Sequence, residues 1–327
     1  MDIIKKRNTY FNKFTRKKIK DKKMMKRIRS LRIPPGYVNV EISSDPLSKI
    51  QAIGVDSKKR KQYIYNSDYT NNQKLLKFGD LIHFGKKIKR IRKDINYNIN
   101  RCVDGTQDIN DLNSIISLIL YIIDRCNFRV GCQKYRELYD TYGVTTLNKS
   151  HLSFNKNNVV IKFVGKKGVE NKDVIKNNKI CSLLNRLVSI NDRDYLFYYR
   201  DKKNNSIKVS EKHINSYLKK YHKSISVKMF RTWAANYMLL RELLKYEFPN
   251  NEKEARKNIN SAIKKAAGQM HHTPHVSKGS YMNNGIIHLY LDLDNNKFYN
   301  ILNFFRRTNG DLPNIDRLLN LILQKIG

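Results

Sequence analysis

Tyr281 follows a stretch with three histidines, His271, His272 and His275, near the end of the chain. A tyrosine is a poor nucleophile at neutral pH because its phenol ionises only near pH ~10. It becomes a plausible nucleophile when cationic groups gather around a phosphate that it can attack. Phosphoryl transfer at Tyr281 therefore requires arginine, lysine or histidine side chains from elsewhere in the chain.

Four side chains are candidates for those groups, and each is predicted at the end of an element or in a turn. Taken singly, each has an ordinary structural explanation: an arginine at a solvated helix end, an exposed hairpin lysine, or a histidine in a loop. Their combination in one chain is what favours a phosphate site. The candidates are Arg129 in Phe-Arg-Val-Gly, Lys166 in Val-Gly-Lys-Lys-Gly, Arg231 in Phe-Arg-Thr-Trp, and His272.

A strongly apolar helix is predicted to deliver Arg129 at its end, and Asp108 is predicted to cap the start of that helix. Two strands, residues 145–154 and 159–164, are predicted next, and the second strand ends in the tight turn that carries Lys166. Helical spacing predicts that the apolar face of the first helix comprises Leu112, Ile115, Ile116, Ile119, Ile122 and Ile123.

Later helices must position the remaining candidates. A long helix over residues 227–248 carries Arg231, and Ser277 is predicted to start the short helix that bears Tyr281. The other predicted helices cover residues 254–270, 298–305 and 315–326.

The front of the chain is predicted to be different. Residues 1–32 are very basic and are predicted to form an arm, either solvated or closing on DNA. Tyr63 and Tyr65 share one face of a strand beside basic residues, which suits contact with a nucleic-acid backbone, although they could instead cover a small β core. A helical pattern begins near residue 72, with interruptions at Gly79 and Gly85. The predicted strands are residues 38–42, 50–55 and 62–65.

The net charge of the chain indicates the kind of molecule that the protein binds. The 65 Lys and Arg residues against 28 Asp and Glu give +37 over 327 residues, and they are spread along the whole chain. This distribution favours a protein wrapped around nucleic acid over a membrane-anchored one. The longest apolar stretch, Ile115 to Ile123, is too short to span a membrane, and the first residues lack a secretory signal. The cysteines form no C-x-x-C pair and indicate a reduced, intracellular protein; they are Cys102, Cys126, Cys132 and Cys181.

Two patterns resemble cation sites, and both are rejected. The histidines before Tyr281 have no acidic ligand nearby, and Pro274 is expected to break helical geometry. Asp292-x-Asp294-x-Asn296 has Lys297 where a calcium loop requires glycine. The sequence therefore predicts no metal and no cofactor.

In this order and spacing the motifs resemble the type IB DNA topoisomerases, most closely the small poxvirus-type enzymes of large DNA viruses and some bacteria. The resemblance covers roughly residues 32 to 290 and implies an α+β fold. It implies a small, mainly β N-terminal domain (residues 1–74, with the basic arm) and a larger, mainly helical catalytic domain with a β-hairpin sheet (residues 75–327). The matching pieces are Gly54 to Tyr65, Arg129 to Tyr135, Val160 to Lys166, Lys228 to Asn236, and His272 to Tyr281.

The resemblance also implies residue roles. Tyr281 would attack a DNA phosphodiester to leave a 3′-phosphotyrosyl bond, Lys166 would protonate the 5′ oxygen with help from Arg129, and the arginines and His272 would stabilise the charge on the phosphate oxygens. Rotation of the free 5′ end would relax supercoils without ATP or metal. The residues expected to contact DNA are Arg60, Gln62, Tyr63, Tyr65, Lys134, Tyr135, Lys228 and Asn236.

The expected partner is duplex DNA, with no membrane and no obligate protein partner. The expected state is a monomer, located inside the cell, or in the virion and the host-cell cytoplasm if the protein is viral. Four positions depart from the family pattern: Lys167 where an aspartate commonly follows the lysine, Cys132 where a basic residue is usual, and Gly279 and Ser280 in place of bulkier residues.

Two other functions fit parts of the sequence. A tyrosine recombinase or integrase would share the catalytic fold and the tyrosine chemistry, but recombinases typically carry a histidine three residues before the second arginine, where this chain has Lys228. A non-catalytic architectural protein would explain the charge but not the four separated motifs.

Overall fold

The computed structural model describes residues 1–7, 9–190, 195–309 and 314–326, and it divides into two units, Met1–Lys77 and Phe78–Gly327. The division falls inside one long helix, α2. The elements up to that helix are β1 (Ile3–Lys6), β2 (Thr9–Asn12), α1 (Lys22–Ser30), β3 (Val38–Ile42), β4 (Ile50–Val55), β5 (Lys61–Tyr65) and α2 (Ser67–Val103).

The N-terminal unit is built on a five-stranded antiparallel sheet with the order β2-β1-β3-β4-β5. The prediction that residues 1–32 form an arm is wrong, because they supply two strands and a capped helix. Ile3 and Ile28 are buried in the core of this unit, and the Asp21 carboxylate caps α1 by accepting from the Met24 N–H. The many charged residues of this segment made its few buried apolar residues difficult to recognise in the sequence.

Helix α2 is continuous, so the predicted interruptions at Gly79 and Gly85 are wrong. Gly85 is required by packing, since a Cβ there would lie 2.5 Å from the Trp233 ring. The stripe that α2 buries in the second unit has the three- and four-residue spacing of a helix. It comprises Leu81, Phe84, Ile88, Ile91, Ile95 and Ile99.

The second unit combines helices with short antiparallel strands. Its helices after α2 are α3 (Leu112–Cys126), α4 (Gln133–Tyr139), α5 (Asn178–Ile190), α6 (Glu211–Leu218), α7 (Lys228–Leu243), α8 (Glu252–Gln269), α9 (Pro274–Ser280), α10 (Asn284–Leu291), α11 (Lys297–Asn309) and α12 (Ile315–Ile326). Its strands are β6 (Leu152–Asn155), β7 (Asn158–Val164), β8 (Glu170–Ile175), β9 (Tyr198–Arg200) and β10 (Ser206–Lys208). The predicted α+β fold, a small β-rich part followed by a larger helical part, is confirmed.

Strands β6, β7 and β8 form one antiparallel sheet in that order, and the turn from β7 to β8 holds Lys166. The prediction of a strand over residues 145–154 is wrong before Leu152. The preceding residues form 3₁₀ turns, and the Val144 and Thr145 N–H groups donate to the carbonyls of Arg129 and Val130, at 2.9 and 2.7 Å. This segment therefore braces the candidate arginine instead of extending the sheet.

Two helix starts differ from those predicted. Asp111, not Asp108, caps α3 by accepting from the N–H groups of Asn113 and Ser114. Helix α9 begins at Pro274, with Thr273 as its N-cap, so Ser277 lies inside the helix and Tyr281 is its C-cap. Proline is well suited to the first helical position because its missing N–H would have no partner there.

Helix α7 ends at Leu243, five residues before the predicted end, and α8 starts at Glu252 behind an Asn251 cap. No helix in the described part of the chain combines the length and apolar character needed to cross a membrane.

Candidate active site

Arg129 is held by the backbone on both sides. It follows α3 by way of Asn127, which is left-handed at φ 55°, and of the fully buried Phe128. Its carbonyl accepts from the Val144 N–H, and a Cβ on Gly143 would lie 2.5 Å from the backbone of Gly131. Because these two backbone segments approach so closely, the backbone of Arg129 has little freedom to move.

Arg231 lies in the first turns of α7 and is buried, with 5% of its surface exposed. Its Nη2 donates to the Met270 carbonyl at 3.2 Å. Burial, together with the charge of Arg129, lowers its pKa to about 10, so the guanidinium remains charged at neutral pH. Among the described residues, its Nε and Nη1 atoms have no hydrogen-bond partner. Buried unpaired donors are costly, so this guanidinium is suited to an anionic ligand.

His272 joins the two arginines. Its Nε2 lies 2.6 Å from Nη2 of Arg231 and 2.9 Å from Nη2 of Arg129. A guanidinium can only donate, so Nε2 accepts and the ring proton is assigned to Nδ1, which lies 3.4 Å from the Ser277 hydroxyl. Burial, then the charges of the two arginines, lower the pKa of His272 to about 3. The imidazole is therefore neutral at pH 7.

Tyr281 completes this group. Its ring lies 4.6 Å from the His272 ring, and the Arg231 guanidinium is 5.6 Å from the centre of the tyrosine ring. Burial acts to raise the pKa of the phenol, but the charges of Arg231 and Arg129 outweigh it and leave the pKa below its usual value. We call Arg129, Arg231, His272 and Tyr281 the cationic–tyrosine cluster. The structure brings these four predicted residues together.

Asn236 fixes the backbone of the tyrosine. It was expected to contact DNA, but it is fully buried, its Nδ2 donates to the Tyr281 carbonyl at 2.9 Å, and its Oδ1 accepts from the Asn283 N–H at 2.7 Å. It is thus a link between α7 and the chain on either side of Met282. The sequence offered one signal for this role, a polar side chain on the buried face of a helix, five residues after Arg231.

Lys166 stands apart from the cluster. Its side chain is exposed on the turn between β7 and β8, where Lys167 is left-handed at φ 68° and Gly168 N–H donates to the Gly165 carbonyl. No hydrogen bond or ring contact among the described residues joins it to the cluster. The strand that leads to it is nevertheless anchored nearby, because Phe163 packs edge-on against Phe128 at 4.9 Å.

The histidines beside His272 have structural surroundings. His271 is left-handed at φ 53°, and its ring lies 5.6 Å from that of Phe128, whereas His275 is exposed. In the described ranges, no three His, Cys, Asp or Glu side chains are grouped as a metal site.

The aromatic residues predicted to contact DNA on β5 are exposed. Tyr63 and Tyr65 are 43% and 44% exposed, with their rings stacked 6.2 Å apart, so the alternative that they cover the β core is wrong. Arg60 and Gln62 both bond the Asp56 carboxylate, at 2.6 and 3.0 Å. The hydrogen bond from Arg60 is the main reason that the pKa of Asp56 falls to about 2.

The other predicted DNA contacts lie on two helices of the second unit. Lys134 and Tyr135 are exposed on α4, where the Tyr135 ring is 6.0 Å from that of Tyr139. Lys228 is exposed at the start of α7, and its ammonium lies 3.1 Å from the Glu211 carboxylate. These three side chains are accessible to a ligand.

The family models and the relatives that match this chain all describe DNA topoisomerases, and the matches include residues of both units. Residues 58–289 match the family model described as the catalytic core of eukaryotic DNA topoisomerase I, and residues 9–56 match the N-terminal domain of bacterial DNA topoisomerase IB. The DNA topoisomerase 1B of Acanthamoeba polyphaga mimivirus is 34% identical over 308 residues, which is 92% of this chain and 87% of the relative. The DNA topoisomerase 1B of Vaccinia virus (strain Copenhagen) is 28% identical over 256 residues, 76% of this chain and 74% of the relative.

Proposed function

We propose, since the chain belongs to the type IB DNA topoisomerase family, that Tyr281 is the nucleophile with which it cleaves DNA. The enzyme relaxes supercoiled duplex DNA by transient cleavage and religation of one strand through a 3′-phosphotyrosyl intermediate, without ATP. The observation that supports Tyr281 is its place in the cationic–tyrosine cluster, where the charges of two guanidinium groups hold the pKa of its phenol below the usual value. A phenolate attacks phosphorus far better than a phenol does.

Arg231 and Arg129 are proposed to stabilise the transition state. Attack by Tyr281 places additional negative charge on the non-bridging oxygens of the phosphate. Forked guanidinium donors suit those oxygens, and the buried Nε and Nη1 atoms of Arg231 are available for them among the described contacts. Preorganised charges of this kind need no reorganisation when the reaction occurs.

His272 is proposed to donate a hydrogen bond to a non-bridging oxygen. In the structure its Nε2 accepts from both arginines, so donation from Nε2 requires the ring proton to move from Nδ1 to Nε2. The Ser277 hydroxyl beside Nδ1 can act as donor or acceptor and therefore fits both tautomers. A phosphate that takes over the guanidinium donors would release the Nε2 lone pair at the same time.

Lys166 is proposed as the general acid that protonates the 5′ oxygen, which is a poor leaving group as an alkoxide. Its exposed position on a turn anchored beside the Arg129 segment supports this role. Reversal of the same steps reseals the strand, so the phosphotyrosyl bond conserves the energy for religation and no ATP is consumed. The cationic side chains supply the charge stabilisation that other phosphoryl-transfer enzymes obtain from metal ions.

DNA is the substrate of this family. We propose that duplex DNA contacts the exposed tyrosines of β5 and the exposed Lys134, Tyr135 and Lys228. We also propose that the enzyme acts as a monomer, since one chain supplies all members of the cluster. The viral relatives support a viral origin, and we propose that it works in the virion and the host-cell cytoplasm.

The test is covalent trapping with the Tyr281→Phe variant. Wild-type enzyme, quenched with SDS, should retain a 5′-labelled strand, and the variant should bind the same duplex but retain none. Tyr97→Phe is the matched control, since Tyr97 is 60% exposed on α2 and lies outside the proposed site. An adduct that persists in Tyr281→Phe would show that another residue is the nucleophile.

A plasmid assay then separates the functions. The proposed enzyme relaxes positive and negative supercoils in EDTA without ATP. Recombination between two matched sites, with little relaxation of a plain plasmid, would identify a recombinase, and binding without any adduct would identify an architectural protein.

A further inference from the structure

We propose that Asp316, in the first turn of the C-terminal helix α12, is a positioning residue for the cleavage reaction. It would act through Trp233 and hold the helix that carries Arg231. The proposal rests on the proposed function, because it assigns a support to the same cluster.

Asp316 joins three helices through its two oxygens. Oδ1 accepts from the Trp233 indole N–H on α7 at 2.6 Å, and Oδ2 lies 2.7 Å from Nη1 of Arg92 on α2. Arg92 also binds Asp124 on α3, at 2.8 and 3.0 Å. Burial opposes the charge of Arg92, but these two carboxylates outweigh it and raise the pKa of Arg92, so the bridge is ionic.

Trp233 transmits this contact to the site. It is two residues after Arg231 on the same helix and only 1% exposed. Its ring packs against Phe84 at 5.8 Å and fills the space over Gly85, where a Cβ would be 2.5 Å from the indole. An indole held on one side by packing and at its N–H by a carboxylate has little room to move, and the turn that bears Arg231 moves with it.

Helix α12 also supports the segment after the nucleophile. A Cβ on Gly285, in the first turn of α10, would be 2.7 Å from the Ile326 side chain of α12. The preceding Asn283 N–H donates to Asn236 on α7. Helix α12 therefore contacts both α7 and α10, which flank the cluster. It buries Leu318, Leu319, Ile322 and Leu323.

This support lies outside the segment that matches the topoisomerase catalytic core, which ends at residue 289. A displacement of ~1 Å in a catalytic group can cost about 10²-fold in rate, so a remote support of Arg231 has a kinetic effect distinct from its effect on stability. Loss of that support would also move Arg231 away from Tyr281. The groups that face the phenol are Arg231, Arg129 and His272, and Arg231 contributes the largest favourable charge.

The experiment compares Asp316→Leu with Asp124→Leu in the full-length enzyme. Both variants remove one carboxylate from Arg92, and the two aspartates are similarly exposed, at 27% and 21%. Only Asp316→Leu leaves the Trp233 N–H without its acceptor. Single-turnover cleavage should slow about tenfold in Asp316→Leu and less than about twofold in Asp124→Leu, with DNA affinity unchanged in both.

Three further readouts separate positioning from simple destabilisation. Asp316→Asn keeps an oxygen for the indole N–H and should recover a rate within about threefold of wild type. The pH dependence of cleavage in Asp316→Leu should shift to higher pH, since Tyr281 loses part of its stabilising charge. Trp233 is the only tryptophan in the chain, so a change in its emission reports directly on the contact.

Equal slowing in the two leucine variants, or an unshifted pH profile in Asp316→Leu, would overturn the proposal. The Tyr281→Phe variant, tested in parallel, keeps this outcome separate from a failure of the proposed function. If Tyr281→Phe forms no adduct while the two leucine variants behave alike, the nucleophile assignment stands and the positioning role falls.

Discussion

The cationic–tyrosine cluster and the turn that carries Lys166 belong to the same unit but are built in different ways. The cluster is buried or half-buried, and His272 links its arginines directly at 2.6 and 2.9 Å. Lys166 is exposed, on a turn whose next residue is left-handed. The cluster is held by contacts among its own side chains, whereas the turn with Lys166 follows a strand that packs through Phe163 against Phe128.

The difference fits the two chemical tasks that we propose for these regions. Stabilising new charge on phosphate oxygens requires donors that are already oriented in a site that excludes water. Protonating a leaving oxygen requires a donor that can reach an atom supplied by the DNA, and a long lysine side chain on a turn provides that reach. We therefore expect substitutions in the cluster and at the turn to impair cleavage in different ways and by different amounts.

The largest expected effect is at the turn. Lys166→Ala should slow cleavage of ordinary DNA by about 10²–10⁴-fold, the range typical of a lost general acid. A 5′-thiolate leaving group needs no proton, so DNA with a 5′-bridging sulfur should restore much of the rate. Arg231→Ala should lose about 10²–10³-fold and should not be rescued, because its charge acts on the non-bridging oxygens. Single-turnover cleavage of ordinary DNA and of DNA with a 5′-bridging sulfur measures the rate of each variant and its rescue.

Lys167→Ala is the control for that comparison, since Lys167 lies on the same turn and is also exposed. It should change the rate far less than Lys166→Ala. A thiolate that rescues Arg231→Ala as well as Lys166→Ala would remove the distinction between the two regions.

The second prediction concerns how firmly the Arg129 segment is held. Gly143→Ala should destabilise the protein by about 1–3 kcal/mol, because its Cβ would overlap backbone atoms that cannot move independently. A Cβ there would lie 2.5 Å from Gly131 and 2.7 Å from the Arg129 carbonyl. Urea unfolding measures the change, and cleavage should also slow because Arg129 is displaced.

Gly168→Ala supplies the contrast at the Lys166 turn. Nothing lies within 4 Å of its Cβ position, and the only penalty is its left-handed φ of 75°. It should cost about 1 kcal/mol, as expected for a side chain placed in that conformation. Equal costs at the two glycines would mean that the cluster is not more tightly held than the turn.

The same contrast explains what sequence could reveal. The types and spacing of Arg129, Lys166 and Tyr281 were enough to predict a phosphate site, because residues proposed to react with phosphate must be of particular types. The supports were hidden, because Asn236 and Asp316 meet partners 45 and 83 residues away and are otherwise unremarkable polar residues. The strands within residues 1–32 were missed for a related reason, since isolated buried residues such as Ile3 stand in a strongly basic context.

The smallest expected effect tests the neutral state of His272 inside the cluster. Its pKa is about 3 in the folded protein and near 6.5 when exposed, mainly because of burial. Below pH 6.5 the unfolded chain therefore takes up a proton that the folded chain does not, so stability falls as the pH is lowered toward 3.

His272→Gln removes this contribution, and the stability of the variant should fall less steeply than that of wild type between pH 6.5 and 4. Urea midpoints measured across that range give the two slopes. His275→Gln changes an exposed histidine outside the cluster and should retain the wild-type slope. If His272→Gln also keeps that slope, the histidine is charged in the folded cluster, and its Nε2 cannot be the acceptor that joins the two arginines.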